Sequence, residues 1–81
     1  MIAAQCKMAR AAVGWGVREL AEAAKVSADT VVRLERGEAL RERTVEAIRS
    51  ALQKAGVEFI PENGGGAGVR LARKAKGKAK R

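Results

Sequence analysis

The sequence predicts a mainly α fold: four short helices, then a short C-terminal β element and a basic tail. Three observations predict it. Apolar residues recur every three or four positions in four stretches before Gly56, each ended by a glycine or by a break in the pattern. After Gly56 the period shortens to two. From Arg73 onward apolar patterning stops, and basic residues alternate with Ala and Gly. The chain therefore divides into a helical domain over residues 1–56, a strand or hairpin extension over 57–72, and a tail over 73–81 expected to be disordered in isolation.

Taken in order, Ile2, Cys6, Ala9 and Val13 share one apolar face, so a first helix runs to about Val13 and stops near Gly14. On that face Cys6 reads as a small buried hydrophobe. Trp15-Gly16-Val17-Arg18-Glu19-Leu20 has the form of a helix start: Gly16 at the N-cap, Glu19 at N3, and Trp15 placed to pack on Leu20. The second helix spans about Val17 to Ala24, with Leu20, Ala21 and Ala24 facing inward. Lys25-Val26-Ser27 breaks the pattern.

Ser27 is a good N-cap for a third helix over Ala28 to Arg36, and Asp29 in its first turn complements the helix dipole. Val31 and Leu34 are its inward pair, and Gly37 ends it. Beyond a loop over Glu38 to Glu42, Val45, Ile48 and Leu52 mark a fourth helix closed by Gly56, with Thr44 capping it or lying in its first turn. Val57 to Ile60 then alternates as a strand, Pro61-Glu62-Asn63-Gly64 is turn chemistry, and Val69-Arg70-Leu71 is a second strand.

Composition narrows the function classes. The formal net charge is +8, but the six basic residues from Arg73 to Arg81 carry most of it, leaving a nearly balanced body. A cationic tail suits a polyanion or serves solubility. The tail has no amphipathic stripe and no apolar anchor, so no membrane role is expected. Its basic residues suit a flexible arm on phosphates or in the minor groove.

Cys6 is the single cysteine, which makes an intramolecular disulfide impossible and a reducing compartment the default. Five residues precede it, too few for the apolar stretch of a lipoprotein signal, and the expected location is cytoplasmic, at the nucleoid. With no His, no Tyr and no metal-ligand cluster, neither an enzyme nor a metal or other cofactor is expected.

Two short helices joined by a tight turn, the second with an exposed outer face, form a unit that fits a major groove. Val17 to Arg36 supplies every step of that pattern: Ala21 is small at the crossing, Val26 is apolar in the turn, and Val31 and Leu34 anchor the third helix. The order Arg10, Gly14-Trp15, Arg18-Glu19-Leu20-Ala21, Val26-Ser27 and Arg33-Leu34-Glu35-Arg36-Gly37 resembles the phage-repressor and Cro family, the xenobiotic-response-element type of helix-turn-helix proteins. The resemblance covers roughly Cys6 to Leu52 and implies a bacterial or phage regulator of transcription, a repressor in the usual case, bound to double-stranded DNA as a homodimer.

That resemblance places Ser27, Ala28, Asp29, Val32 and Arg33 at base edges. Arg33 can bond a guanine bidentately, Ala28 and Val32 can touch a thymine methyl, and Asp29 either accepts from cytosine or serves only the helix dipole. Arg18, Lys25, Thr30, Arg36, Arg41 and Arg43 are the candidates for the DNA backbone, where contacts position without specifying sequence. Any one of the arginines is equally well read as a solvated surface charge. The family also implies an internal ion pair between Arg10 and Glu35.

Three positions depart from the family pattern. Lys25 stands where glycine is usual, Val17 where a polar residue is usual, and Gly16 where a hydroxyl cap is usual. The extension lies outside the resemblance. Its Val57, Phe59, Ile60, Val69 and Leu71 are the expected dimerisation residues, either pairing between subunits or folding back on their own chain. An antitoxin-like protein, binding a small protein partner through this segment, is the competing class.

Overall fold

The computed structural model describes residues 1–72, and the expected basic arm at 73–81 lies outside them. Four helices are followed by two strands: α1 Ala3–Val13, α2 Val17–Ala24, α3 Ala28–Glu35, α4 Glu42–Lys54, β1 Val57–Ile60 and β2 Gly68–Leu71. Each sequence-predicted element is present, with α3 one residue shorter than expected because Arg36 is its C-cap.

The helices join through a repeated closure. At the ends of α1, α2 and α3 a residue takes the left-handed conformation: Gly14 at φ 73°, Lys25 at 61° and Gly37 at 92°. The residue after each donates its N–H five positions back, from Trp15 to Arg10, Val26 to Ala21 and Glu38 to Arg33, at 2.9, 3.0 and 3.1 Å. This pattern satisfies carbonyls that a helix end leaves open and turns the chain sharply. Lys25 is the one described non-glycine residue with positive φ, at a cost of about 1 kcal/mol.

Helix starts follow local chemistry. Glu19 Oε1 accepts the Gly16 N–H at 2.6 Å, so the N3 carboxylate holds the start of α2, where Gly16 has no side chain of its own. Ser27 Oγ accepts the Thr30 N–H at 3.1 Å and caps α3. Thr44 lies in the first turn of α4, and Arg41 is the N-cap.

Cys6, Leu20, Val31, Ile48 and Leu52 are fully buried at the centre. Ala9, Ala21, Ala24 and Ala51 fill the crossings around them, which lets short helices approach closely. Trp15 and Val26 pack on this cluster from the two turns. One expectation on α1 fails. Ile2 is the N-cap residue and is 54% exposed, while Gln5 is buried in its place.

Gln5 tolerates burial because both polar atoms of its amide find partners. Its Oε1 accepts the Ile2 N–H at 2.9 Å, and its Nε2 donates to the carbonyls of Ile60 and Gly68 at 3.1 and 3.0 Å. It thereby fastens the turn end of the hairpin to α1. The strands pair antiparallel within the chain, Val57 opposite Leu71 and Phe59 opposite Val69. Val57 is buried, Phe59 and Val69 pack on the core, and the outer face carries a Glu58–Arg70 ion pair at 2.8 Å. The Arg49 guanidinium of α4 lies over the Phe59 ring, 5.6 Å from its centre, adding a second tie.

Candidate nucleic-acid interface

Three contacts hold α3 from behind. Val31 and Leu34 enter the core at 0% and 5% exposure. Below them Glu35 receives a two-pronged grip from Arg10, with Nε to Oε2 at 2.8 Å and Nη2 to Oε1 at 2.9 Å. Arg10 Nη1 also donates to the Trp15 carbonyl at 3.2 Å. α1, the first turn and the end of α3 are thus linked through one guanidinium.

Cys6 does more than fill space on the apolar face of α1. Its Sγ donates to Glu35 Oε2 at 3.2 Å. Burial first, then the hydrogen bond to the Glu35 carboxylate and its charge, push the thiol up to about 12, with Arg10 opposing. Cys6 therefore remains a protonated donor. For Glu35, burial works against the charge, but the hydrogen bonds from Arg10 and Cys6 overcome it and hold the carboxyl below its ordinary range. This is a closed network facing inward.

The opposite side of α3 faces outward. Ser27, Asp29, Val32 and Arg33 are exposed, and Ala28 and Thr30 are half-buried. The Ser27 and Thr30 hydroxyls share a hydrogen bond of 2.8 Å, which orders the helix start. Arg33 Nε donates to Glu38 Oε1 at 3.0 Å, and Arg36 Nη2 lies 3.3 Å from Glu38 Oε2. Hydrogen bonding to Glu38 and its charge raise Arg33 above the ordinary arginine range, so it is a permanent cation.

Two shallow grooves border this face. Thr30, Arg33, Arg41 and Thr44 line one, between α3 and the start of α4. Arg18, Glu22, Val26 and Ala28 line the other, between α2 and α3. The fold so gathers Thr30, Arg33 and Arg41 on one flank and Arg18 and Ala28 on the other. Lys25 is exposed in the turn, and Arg36 and Arg43 are exposed without lining either groove. A major groove is wide enough to admit a single α-helix.

A helix-turn-helix domain model matches residues 2–58. The chain belongs to the helix-turn-helix domain family. The matched span holds all four helices and stops two residues into β1, so the rest of the hairpin lies outside the shared domain. No curated protein matches the chain. In this domain α2 and α3 pack against each other across the turn at Lys25, and each leaves an outer side exposed, Arg18, Glu19 and Glu22 on α2 and Asp29, Val32 and Arg33 on α3. Among the described residues no helix is long and apolar enough to cross a membrane, and no group of three or more acidic, Cys or His side chains is placed to hold a metal ion.

Sequence reasoning missed two residues of consequence. Glu38 read as an ordinary loop residue, yet it holds two of the candidate arginines. The signal was Gly37, whose closure returns the next residue to the helix it has just left. Gln5 carried no local signal. Of the expected dimerisation residues, Val57 is spent inside its own chain, Phe59, Ile60 and Val69 are half-buried, and Leu71 is 51% exposed.

Proposed function

We propose that this helix-turn-helix domain is a sequence-specific double-stranded DNA-binding regulator of transcription, a repressor that acts as a homodimer on an inverted-repeat operator in the cytoplasm. The observation that carries this reading is the division of α3 into a buried side and a free side. Val31, Leu34 and Glu35 are engaged from behind, while Ser27, Asp29, Val32 and Arg33 stand in solvent.

A helix fixed in that way enters the major groove with its side chains already placed, which lowers the ordering cost of binding. Arg33 reads guanine, Ala28 and Val32 touch thymine methyls, and Asp29 accepts from cytosine. Arg18, Lys25, Thr30, Arg36, Arg41 and Arg43 meet phosphates and set the register. Occupancy of the operator then excludes polymerase, and no cofactor enters. Leu71 stands exposed on β2 for a second copy, and a two-fold pairing through the hairpin would set two α3 helices across the axis.

Selection of bound fragments from random DNA, followed by footprinting, tests the reading. The expected product is an inverted repeat with half-sites about 34 Å apart. Equal binding to every duplex would overturn it. Sedimentation of the free chain at increasing concentration tests the dimer.

A further inference from the structure

We propose that Glu38 is a positioning residue for base recognition: it holds Arg33 by its Nε, so that the two terminal nitrogens of the guanidinium meet a guanine end-on. The proposal rests on the reading of α3 as the base-reading helix and adds the element that aims its arginine.

The geometry has two independent parts. Gly37, at φ 92°, returns the chain so that the Glu38 N–H bonds the Arg33 carbonyl at 3.1 Å. The Glu38 side chain then reaches Arg33 Nε at 3.0 Å. Backbone and side chain of Glu38 thus grip the backbone and side chain of one residue. In the analogous closures after α1 and α2 the same position holds Trp15 and Val26, apolar residues that pack on the core. At the end of α3 it holds an exposed carboxylate.

A guanidinium offers a bidentate edge in two ways, from its side through Nε or from its end through the two Nη atoms. With Nε occupied, the end remains. Among the described residues no hydrogen bond engages Nη1 or Nη2 of Arg33. Guanine presents O6 and N7 side by side in the major groove, a match for that pair. Glu38 also prevents the long side chain from sampling phosphates.

Its own charge is tolerable beside DNA because it sits between two cations, with Arg36 Nη2 3.3 Å from its second oxygen. The pair adds little to the fold, since both side chains are more than 40% exposed. Its consequence is for binding.

The test compares Glu38→Ala, Glu38→Gln and Arg33→Ala in the full chain. The probes are a duplex selected from random DNA by the unaltered protein, its single base-pair variants, and a random-sequence duplex of equal length. Glu38→Ala is expected to cut discrimination at one G·C pair by about tenfold, at the pair where Arg33→Ala also abolishes it. On the random duplex both Glu38 variants bind more tightly, with a salt slope steeper by about one phosphate equivalent. Glu38→Gln keeps an acceptor for Nε and retains most of the discrimination, although it removes the same charge.

Thermal transitions of both Glu38 variants coincide with the unaltered protein. Unchanged discrimination in Glu38→Ala, or equal loss in the Ala and Gln variants, overturns the positioning role while leaving α3 as the reader. Uniform binding of all duplexes by the unaltered protein overturns the DNA-reading function itself, and the proposal with it.

Discussion

Two arginine–glutamate pairs flank the third helix, alike in chemistry and opposite in consequence. Arg10 and Glu35 meet through two hydrogen bonds, with side chains 22% and 8% exposed. Arg33 and Glu38 meet through one, at 45% and 42% exposure. The distances hardly differ, at 2.8 and 3.0 Å. Water makes the difference. Around the outer pair it screens the attraction and offers each partner other hydrogen bonds, so breaking the contact costs the fold little. Around the inner pair it is largely excluded, and a partner left alone is a buried charge without compensation. The inner pair therefore fixes where α3 lies, and the outer pair is free to serve binding.

The largest expected effect tests the inner pair. Arg10→Ala and Glu35→Ala should each lose about 3–5 kcal/mol in denaturant or thermal melts, and the double variant should lose less than the sum of the two. Two near-neutral single variants would place the inner pair in the same class as the outer one.

The same network should contribute to the pH dependence of stability at both ends. The Glu35 carboxyl is held below its ordinary range, so its contribution is complete above about pH 4.3 and disappears as pH falls through the lower folded value. Glu35→Gln should flatten that acid limb. The Cys6 thiol is raised from 9.0 to about 12, so its contribution is complete below 9.0 and is lost as pH rises toward 12. Cys6→Ser, which does not ionise there, should lose less stability across that interval; an identical alkaline limb would remove Cys6 from the network.

The outer pair is sharpened by binding instead of melting. Arg33→Ala should reduce affinity for a selected duplex by about tenfold or more while leaving the thermal transition in place. A lowered transition would mean that Arg33 belongs with the structural residues. Lys25 supplies a smaller effect between the two classes. Lys25→Gly should stabilise the domain by about 1 kcal/mol in melts by relieving the left-handed backbone. It should also reduce the salt slope of DNA binding by about one phosphate equivalent if the ammonium meets the backbone.

Most of the fold was legible because the signals were local. Ser27, Gly14 and Gly37 act within a few residues of themselves, and the spacing of Leu20 to Ala24 and of Val31 to Leu34 states which side of each helix is apolar. The candidate site was legible to the same depth: once Val31 and Leu34 are inward, Ser27, Asp29, Val32 and Arg33 have nowhere to face but water. Ile2 was misread because periodicity does not state whether a residue is the first of a helix or the cap before it.

The sequence by itself determined the helices, the turns between them, the face of α3 and the place of the strands, since each depends on the conformational preferences and spacing of neighbours. Tertiary structure alone decided the hairpin contacts of Gln5 and the partner of Cys6. Gln5 bonds carbonyls 55 and 63 positions away, and Cys6 reaches a carboxylate 29 positions away. Polar groups of this kind acquire a role only when folding removes water and brings a particular partner within 3 Å or so, and that meeting is a property of the packed chain.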